Sequence, residues 1–359
     1  MQKKESIKIG NKCIGEGCSC FVIAEAGANF RISEDPEKNF GHALKLIDIA
    51  VEANADAVKF QIYRAERMYT KTKSGSIEYL GKKEKIYDTI SNLEVPYEWL
   101  PKLKDYCDKK GIIFLATPFD EESADELEKV GMPAFKIASY TITHLPLIEH
   151  ISKKGKPLIF STGGSNIDEI KDAIKTAYDA GNEDIVIMQC TASYPASIDV
   201  LNLRAIHTLK KEFGVPIGLS DHSREPIIAP LGAVALGASC YEVHYTTDNE
   251  LEGPDHAFAI LPEELKEVVK KIREMERALG TGKKEMLEQE KVTAHFCRRS
   301  IYAKKNIQKG EELTTENIHI VRHGEDKGGL APKFFKEILG KKSKTDIAVD
   351  TALSEEMVE

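Results

Sequence analysis

Residues 111–164, GIIFLATPFDEESADELEKVGMPAFKIASYTITHLPLIEHISKKGKPLIFSTGG, decide the fold. Three short β-rich apolar runs, Ile112–Ala116, Ala134–Ala138 and Leu158–Phe160, alternate here with stretches of helical length. Gly111, Gly131 and Gly155 each stand just before a run. A glycine there closes a helix and opens a strand, because it adopts the left-handed backbone conformation without a steric penalty. The runs are nearly all apolar, which marks strands of a parallel sheet buried on both faces.

The pattern repeats in both directions. Phe21–Ala26 and Ala55–Ile62 precede these runs, and Ile185–Gln189, Pro216–Leu219 and Cys240–His244 follow them. Amphipathic segments such as Phe40–Ala53, Tyr97–Lys109, Ile167–Ala180 and Glu263–Leu279 lie between or after them. Eight βα units in succession predict a (β/α)8 TIM barrel over residues 1–282. A doubly wound open sheet is the structural rival, but no GxGxxG turn follows any of the strands. Segment 64–96, with Tyr69, Tyr79 and Tyr87, interrupts the rhythm; it is a site cover, an oligomer contact or a plain surface excursion. After Gly282 come a linker, 283–297, with a charged stretch Lys283–Lys291, and a small β-rich domain, 298–359. That domain carries the strand-like pieces Ser300–Ala303 and Ile318–Val321.

A net charge of −8 argues against nucleic acid or an anionic membrane as partner. The start, Met1–Gly10, has no apolar core of a signal peptide, and no run approaches a membrane span, so a cytoplasmic location is expected. The seven cysteines show no paired zinc spacing, and free thiols are expected.

Chemistry in such a barrel sits at the carboxyl ends of the strands. Polar residues collect there in every unit: Glu25 and Asn29, Lys59 and Gln61, Thr117, Lys136 and Ser139, Ser161–Gly164, Thr191 to Tyr194, Ser220–His222, and Glu242 with His244. Any one of them reads as a satisfied polar group near a strand end. A whole ring is different, since each buried polar group needs a partner or costs about 1–3 kcal/mol. His222 and His244 end adjacent strands and suit a divalent metal with positions left for water and substrate. Lys59, Lys136, Ser139, Ser161, Ser220 and the Gly163–Gly164 turn form a cradle for a phosphate and a carboxylate. A Schiff-base role for a lysine is the competing chemistry.

EAGAN at 25–29, VKFQ at 58–61, ATPF at 116–119, FKIAS at 135–139, STGG at 161–164, CTASYP at 190–195, GLSDHS at 218–223 and EGPDHAF at 252–258 resemble, in order and spacing, the sialic acid (N-acetylneuraminate) synthase family. That family includes the legionaminic and pseudaminic acid synthases. From Arg298 onward the chain looks like the family's antifreeze-like (SAF) domain. The resemblance implies a phosphoenolpyruvate-dependent, carbon–carbon bond-forming transferase. It would act on an N-acylated amino sugar, N-acetylmannosamine or a diacetamido hexose, to give a nonulosonic acid.

The resemblance also implies a manganese or magnesium ion on His222 and His244, and a domain-swapped homodimer. Carried over by position, Lys59, Thr117, Lys136, Ser139, Ser161 and Ser220 would hold phosphoenolpyruvate. Glu25 would steer the attacking water, and Tyr194, Glu242 and Asp255 would face the sugar. Phe296 and Arg322 would enter from the neighbouring chain. The sequence departs from the family's pattern at Phe30–Arg31, Thr141, Ala192, Val243 and His323. Thr141 and Ala192 fall where the sugar is expected, which points away from N-acetylmannosamine itself. Two alternatives stand: a synthase acting on a sugar phosphate held by Arg64 and Arg67, and a non-catalytic sugar-binding homologue.

Overall fold

A computed structural model describes residues 4–79 and 82–359, and side chains outside 77–84. The chain divides into two compact units, Met1–Gly280 and Thr281–Glu359. In the first, eight parallel strands close into a barrel: Phe21–Gly27, Ala57–Ile62, Ile113–Pro118, Phe135–Ile137, Leu158–Ser161, Ile185–Cys190, Ile217–Asp221 and Cys240–His244. The last pairs with the first, His244 opposite Glu25, and Glu25 in turn stands opposite Lys59.

The two-residue period of a strand sorts these residues. Val22, Ala24, Val58, Phe60, Phe135, Ile137 and Tyr241 face outward into the core shared with the helices. The alternate positions Phe21, Ile23, Ala57, Leu115, Ile159, Val186 and Met188 fill the lower barrel. The next inward positions, one pleat higher, are Glu25, Lys59, Thr117, Lys136, Ser161, Cys190, Ser220 and Glu242. The same alternation that packs the barrel therefore delivers a polar layer at its upper mouth.

The helices are bounded by ordinary signals. Pro36–Glu52 is capped by Asp35, whose carboxylate accepts from the Glu37 N–H. Ile167–Asp179 has a full capping box between Asn166 and Glu169. Leu100–Lys110 ends at Gly111 with φ +77°.

Three features were not expected. A hairpin, Ser6–Ile9 with Lys12–Gly15, precedes the barrel and packs Ile7, Ile9 and Ile14 against its lower interior. Cys13 and Cys18 are disulfide-bonded, with Cα atoms 5.7 Å apart, which corrects the expectation of free thiols for this pair; the hairpin folds the chain back and brings the two together. Segment 64–96 is not one loop. It holds helices Ala65–Met68 and Ile86–Ser91 around a hairpin, Ser76–Tyr79 with Lys82–Lys85. Leu80 and Gly81 of that segment, and Met1–Lys3 of the start, lie outside the described residues, as does the side chain of Tyr79.

In the second unit, Arg299–Ala303 pairs antiparallel with Ile318–Arg322. Its core gathers Ile301, Leu313, Ile318, Ile347 and Leu353. The stretch expected as a linker contains a helix, Lys291–Cys297. Among the described residues, no helix is long and apolar enough to cross a membrane.

Candidate active site

Eleven of the barrel residues expected at the site line one open cavity at the upper mouth: Glu25, Lys59, Thr117, Lys136, Ser139, Ser161, Tyr194, Ser220, His222, Glu242 and His244; Thr141, Ala192 and the Gly163–Gly164 turn do not line it. Gln61, Phe119 and Ala138 line it as well. Asp255 stands beside it, its Oδ2 3.5 Å from His244 Nδ1.

The two lysines are buried, not displaced to the rim. Lys59 Nζ lies 2.5 Å from Glu25 Oε2 and 3.6 Å from Glu242 Oε1, and donates to Thr117 Oγ1 at 3.0 Å. Lys136 Nζ donates to the same Glu242 oxygen at 2.9 Å, which also accepts from Ser220 Oγ at 3.3 Å. Burial alone would push the Glu242 carboxyl up, but the Lys136 and Lys59 ammoniums outweigh it and hold it below the usual range. Glu25 shifts the other way: burial dominates and pushes its carboxyl up despite Lys59. Two carboxylates of one mouth are thus set apart in proton affinity by their neighbours.

Gln61 Nε2 donates to Glu25 Oε1 at 2.9 Å. Sequence reasoning saw Gln61 at its strand end but did not select it. The signal was the period: two residues past Lys59, on the same inward face.

The fifth-strand turn is built by close approach. The Gly163 N–H donates to Ser139 Oγ at 3.1 Å, and Ser139 Oγ donates to Cys190 Sγ at 3.3 Å. A methyl group on Gly163 would sit 2.8 Å from Cys190 Sγ and 2.9 Å from both Ala192 Cβ and Ser139 Oγ. Gly163→Ala is therefore expected to cost about 1–3 kcal/mol of stability by overpacking. A melting curve unchanged from the natural protein would show that the turn yields freely.

His222 and His244 meet as expected, their ring centroids 5.4 Å apart. Burial pushes the His222 imidazole down to about 4, and burial followed by the charge of its neighbours puts His244 well below its ordinary value. Both are neutral near pH 7, as metal ligands must be. His222 Nδ1 faces the Thr191 carbonyl at 2.9 Å, which fixes that nitrogen as the donor and leaves Nε2 its lone pair. His244 Nδ1 is buried without a hydrogen-bond partner. These donors fit a divalent cation. Among the described residues, no group of three potential ligands occurs.

Tyr194 packs on His222 with centroids 4.2 Å apart, and Phe258 on both Tyr194 and His244 at 5.3 and 5.1 Å. Ser161 Oγ is buried with no partner. Thr141 is buried in the turn Ser139–Thr141 and does not line the cavity. Phe296 and Arg322 belong to the second unit, where Phe296 is exposed on Lys291–Cys297 and Arg322 ends a strand.

A closed (β/α)8 barrel with buried lysines, carboxylates and a neutral histidine pair at its carboxyl mouth defines a class of barrel enzyme. Comparison with known sequences narrows it. The profile of the NeuB family matches residues 46–284 and that of the SAF domain residues 298–359. The chain belongs to the NeuB family.

The spore coat polysaccharide biosynthesis protein SpsE of Bacillus subtilis is 40% identical over 97% of this chain and 96% of its own. Its crystal structure superposes with a TM-score of 0.67 over 99% of both chains at 39% identity. The N,N'-diacetyllegionaminic acid synthase of Legionella pneumophila is 36% identical over 98% of each chain. An N-acetylneuraminic acid synthetase from Leptospira borgpetersenii, solved with citrate, superposes at TM-score 0.72 and 34% identity. That match covers 81% of this chain and 95% of the other.

Proposed function

We propose that this protein joins phosphoenolpyruvate to the aldehyde carbon of an N-acylated amino sugar, releasing phosphate and forming a nonulosonic acid. One observation carries the reading: two buried ammonium groups, Lys59 and Lys136, converge on Glu242 beside hydroxyls of Thr117, Ser139, Ser220 and an unpartnered Ser161. Fixed cations and short donors in one small cavity suit a ligand carrying both a phosphate and a carboxylate. The Legionella relative's name supports a sugar with acylamino groups as the second substrate.

The chain's own groups then have definite work. Lys59 and Lys136 hold the anionic ends of phosphoenolpyruvate, so its methylene can bond to C1 of the open-chain sugar. Positive charge develops on the phosphate-bearing carbon, where water adds. Glu25, held by Lys59 and Gln61, takes the proton from that water. The aldehyde oxygen takes up the electron pair of its double bond and the proton that Glu25 removed, ending as a hydroxyl. The carbon–oxygen bond to phosphate then breaks, phosphate leaves with the water's second proton, and the water's oxygen stays behind as the ketone. His222 and His244 would hold manganese or magnesium, which supplies Lewis-acid polarisation of an oxygen when bound. In the same reading two copies associate, and the exposed Phe296, with Arg322, comes from the partner's small domain to exclude water.

An acceptor bearing a phosphate is disfavoured. Arg64 donates to the Tyr63 and Val95 carbonyls at 2.7 and 3.1 Å and lies 3.5 Å over the Tyr97 ring, so it is already engaged. Arg67 faces Glu122. The test is phosphate release with phosphoenolpyruvate, manganese and a panel of acetamido sugars. One phosphate per 2-keto acid is expected. Turnover of sugar phosphates alone, or a borohydride-trapped adduct on Lys59 or Lys136, would overturn the reading.

A further inference from the structure

The turn Ser139–Thr141 after the fourth strand sends three neighbours in three directions. Ser139 turns into the cavity and Thr141 into the protein, while Tyr140 stands out at the rim, 70% exposed. Its hydroxyl donates to the Ala192 carbonyl at 3.4 Å. Its ring lies on Gly164, so closely that a methyl group there would sit 3.1 Å from Cε1. Tyr194, which lines the cavity and is itself 48% exposed, lies two residues beyond Ala192. Two aromatic rings therefore stay partly open to water, Tyr194 lining the cavity that holds the histidine pair and Tyr140 held against Gly164 and the Ala192 carbonyl.

Aromatic surface left wet beside a cavity is surface that a ligand's apolar part can cover, and rigid rings lose little entropy when it does. We infer that Tyr140 is a specificity-determining residue: together with Tyr194 and Ala192 it receives an acylamino methyl group of the acceptor sugar. This rests on the proposed function and adds to it the residue that favours a second acyl group. A methyl group covers the apolar faces of these rings, and a hydroxyl in its place does not.

The test compares kcat/KM for a 2,4-diacetamido-2,4,6-trideoxyhexose and for N-acetylmannosamine in the natural protein, Tyr140→Ala and Tyr140→Phe. Tyr140→Ala is expected to lower the diacetamido value about tenfold through the sugar KM, a loss of roughly 1.4 kcal/mol. The N-acetylmannosamine value and the KM for phosphoenolpyruvate should change little. Tyr140→Phe keeps the ring and should keep the preference. An unchanged ratio of the two sugars in Tyr140→Ala, or natural-protein turnover of N-acetylmannosamine alone, overturns the assignment while leaving the synthase reading intact. Should the natural protein turn over no acylamino sugar, that reading falls and takes this inference with it.

Discussion

Alanine at His222 or His244 is expected to lower turnover by several orders of magnitude while the barrel still folds. His244 ends its strand and His222 directly follows the neighbouring one, and their burial keeps both neutral. Loss of either leaves one nitrogen donor, too few to retain an ion against water. A chelator should abolish the activity of the natural protein in the same way, and manganese or magnesium should restore it. The measurements are phosphate release, circular dichroism, and calorimetric titration of manganese into each variant. Full activity after exhaustive chelation would remove the pair from any metal role.

Lys59→Ala should be the most destabilising single change in the site. Lys59 is the cation nearest Glu25 and the second cation of Glu242. Removing one partner of a buried ion pair costs about 3–5 kcal/mol, because the remaining charge is left without compensation. Lys136→Ala should cost less, since Glu242 retains Lys59 at 3.6 Å; its main effect should be a higher KM for phosphoenolpyruvate, through loss of a contact worth about 1.5–3 kcal/mol. Adding Glu25→Gln to Lys59→Ala should recover part of the stability and none of the activity. Urea unfolding of the four proteins checks the order. A Lys59→Ala protein as stable as the natural one would mean that Glu25 and Glu242 are not held by this ammonium.

How much of this was legible in the sequence depends on the range of the interaction. The barrel was legible because alternation and glycine-closed helices are local, and Lys59 and Lys136 stood out as charges inside apolar runs. The hairpin at Ser6–Gly15 was not, since its reason for existing is contact between Ile7, Ile9 or Ile14 and strands far along the chain. The Cys13–Cys18 bond was missed because compartment, not geometry, decided the expectation. Lys291–Cys297 passed for linker on the charge of the residues before it. Thr141 was assigned to the sugar by the resemblance, from its place two residues past Ser139 in the motif. The chain has already left the strand at Ile137 and entered a 3-10 turn, where three residues complete a circuit and Tyr140 takes the outward place.

The pairing of the eighth strand with the first has a consequence for biosynthesis of the chain itself. Glu25 and Lys59 emerge early from the ribosome, while His222, Glu242 and His244 emerge only after most of the barrel has been made. Until the last strand docks, the first exposes an unpaired edge, and the lysine–carboxylate cluster lacks Glu242. Contacts of such long sequence separation form late and slowly. A ribosome-stalled chain ending before Cys240 should therefore carry an open, protease-sensitive sheet, and the mouth should appear all at once when the ring closes.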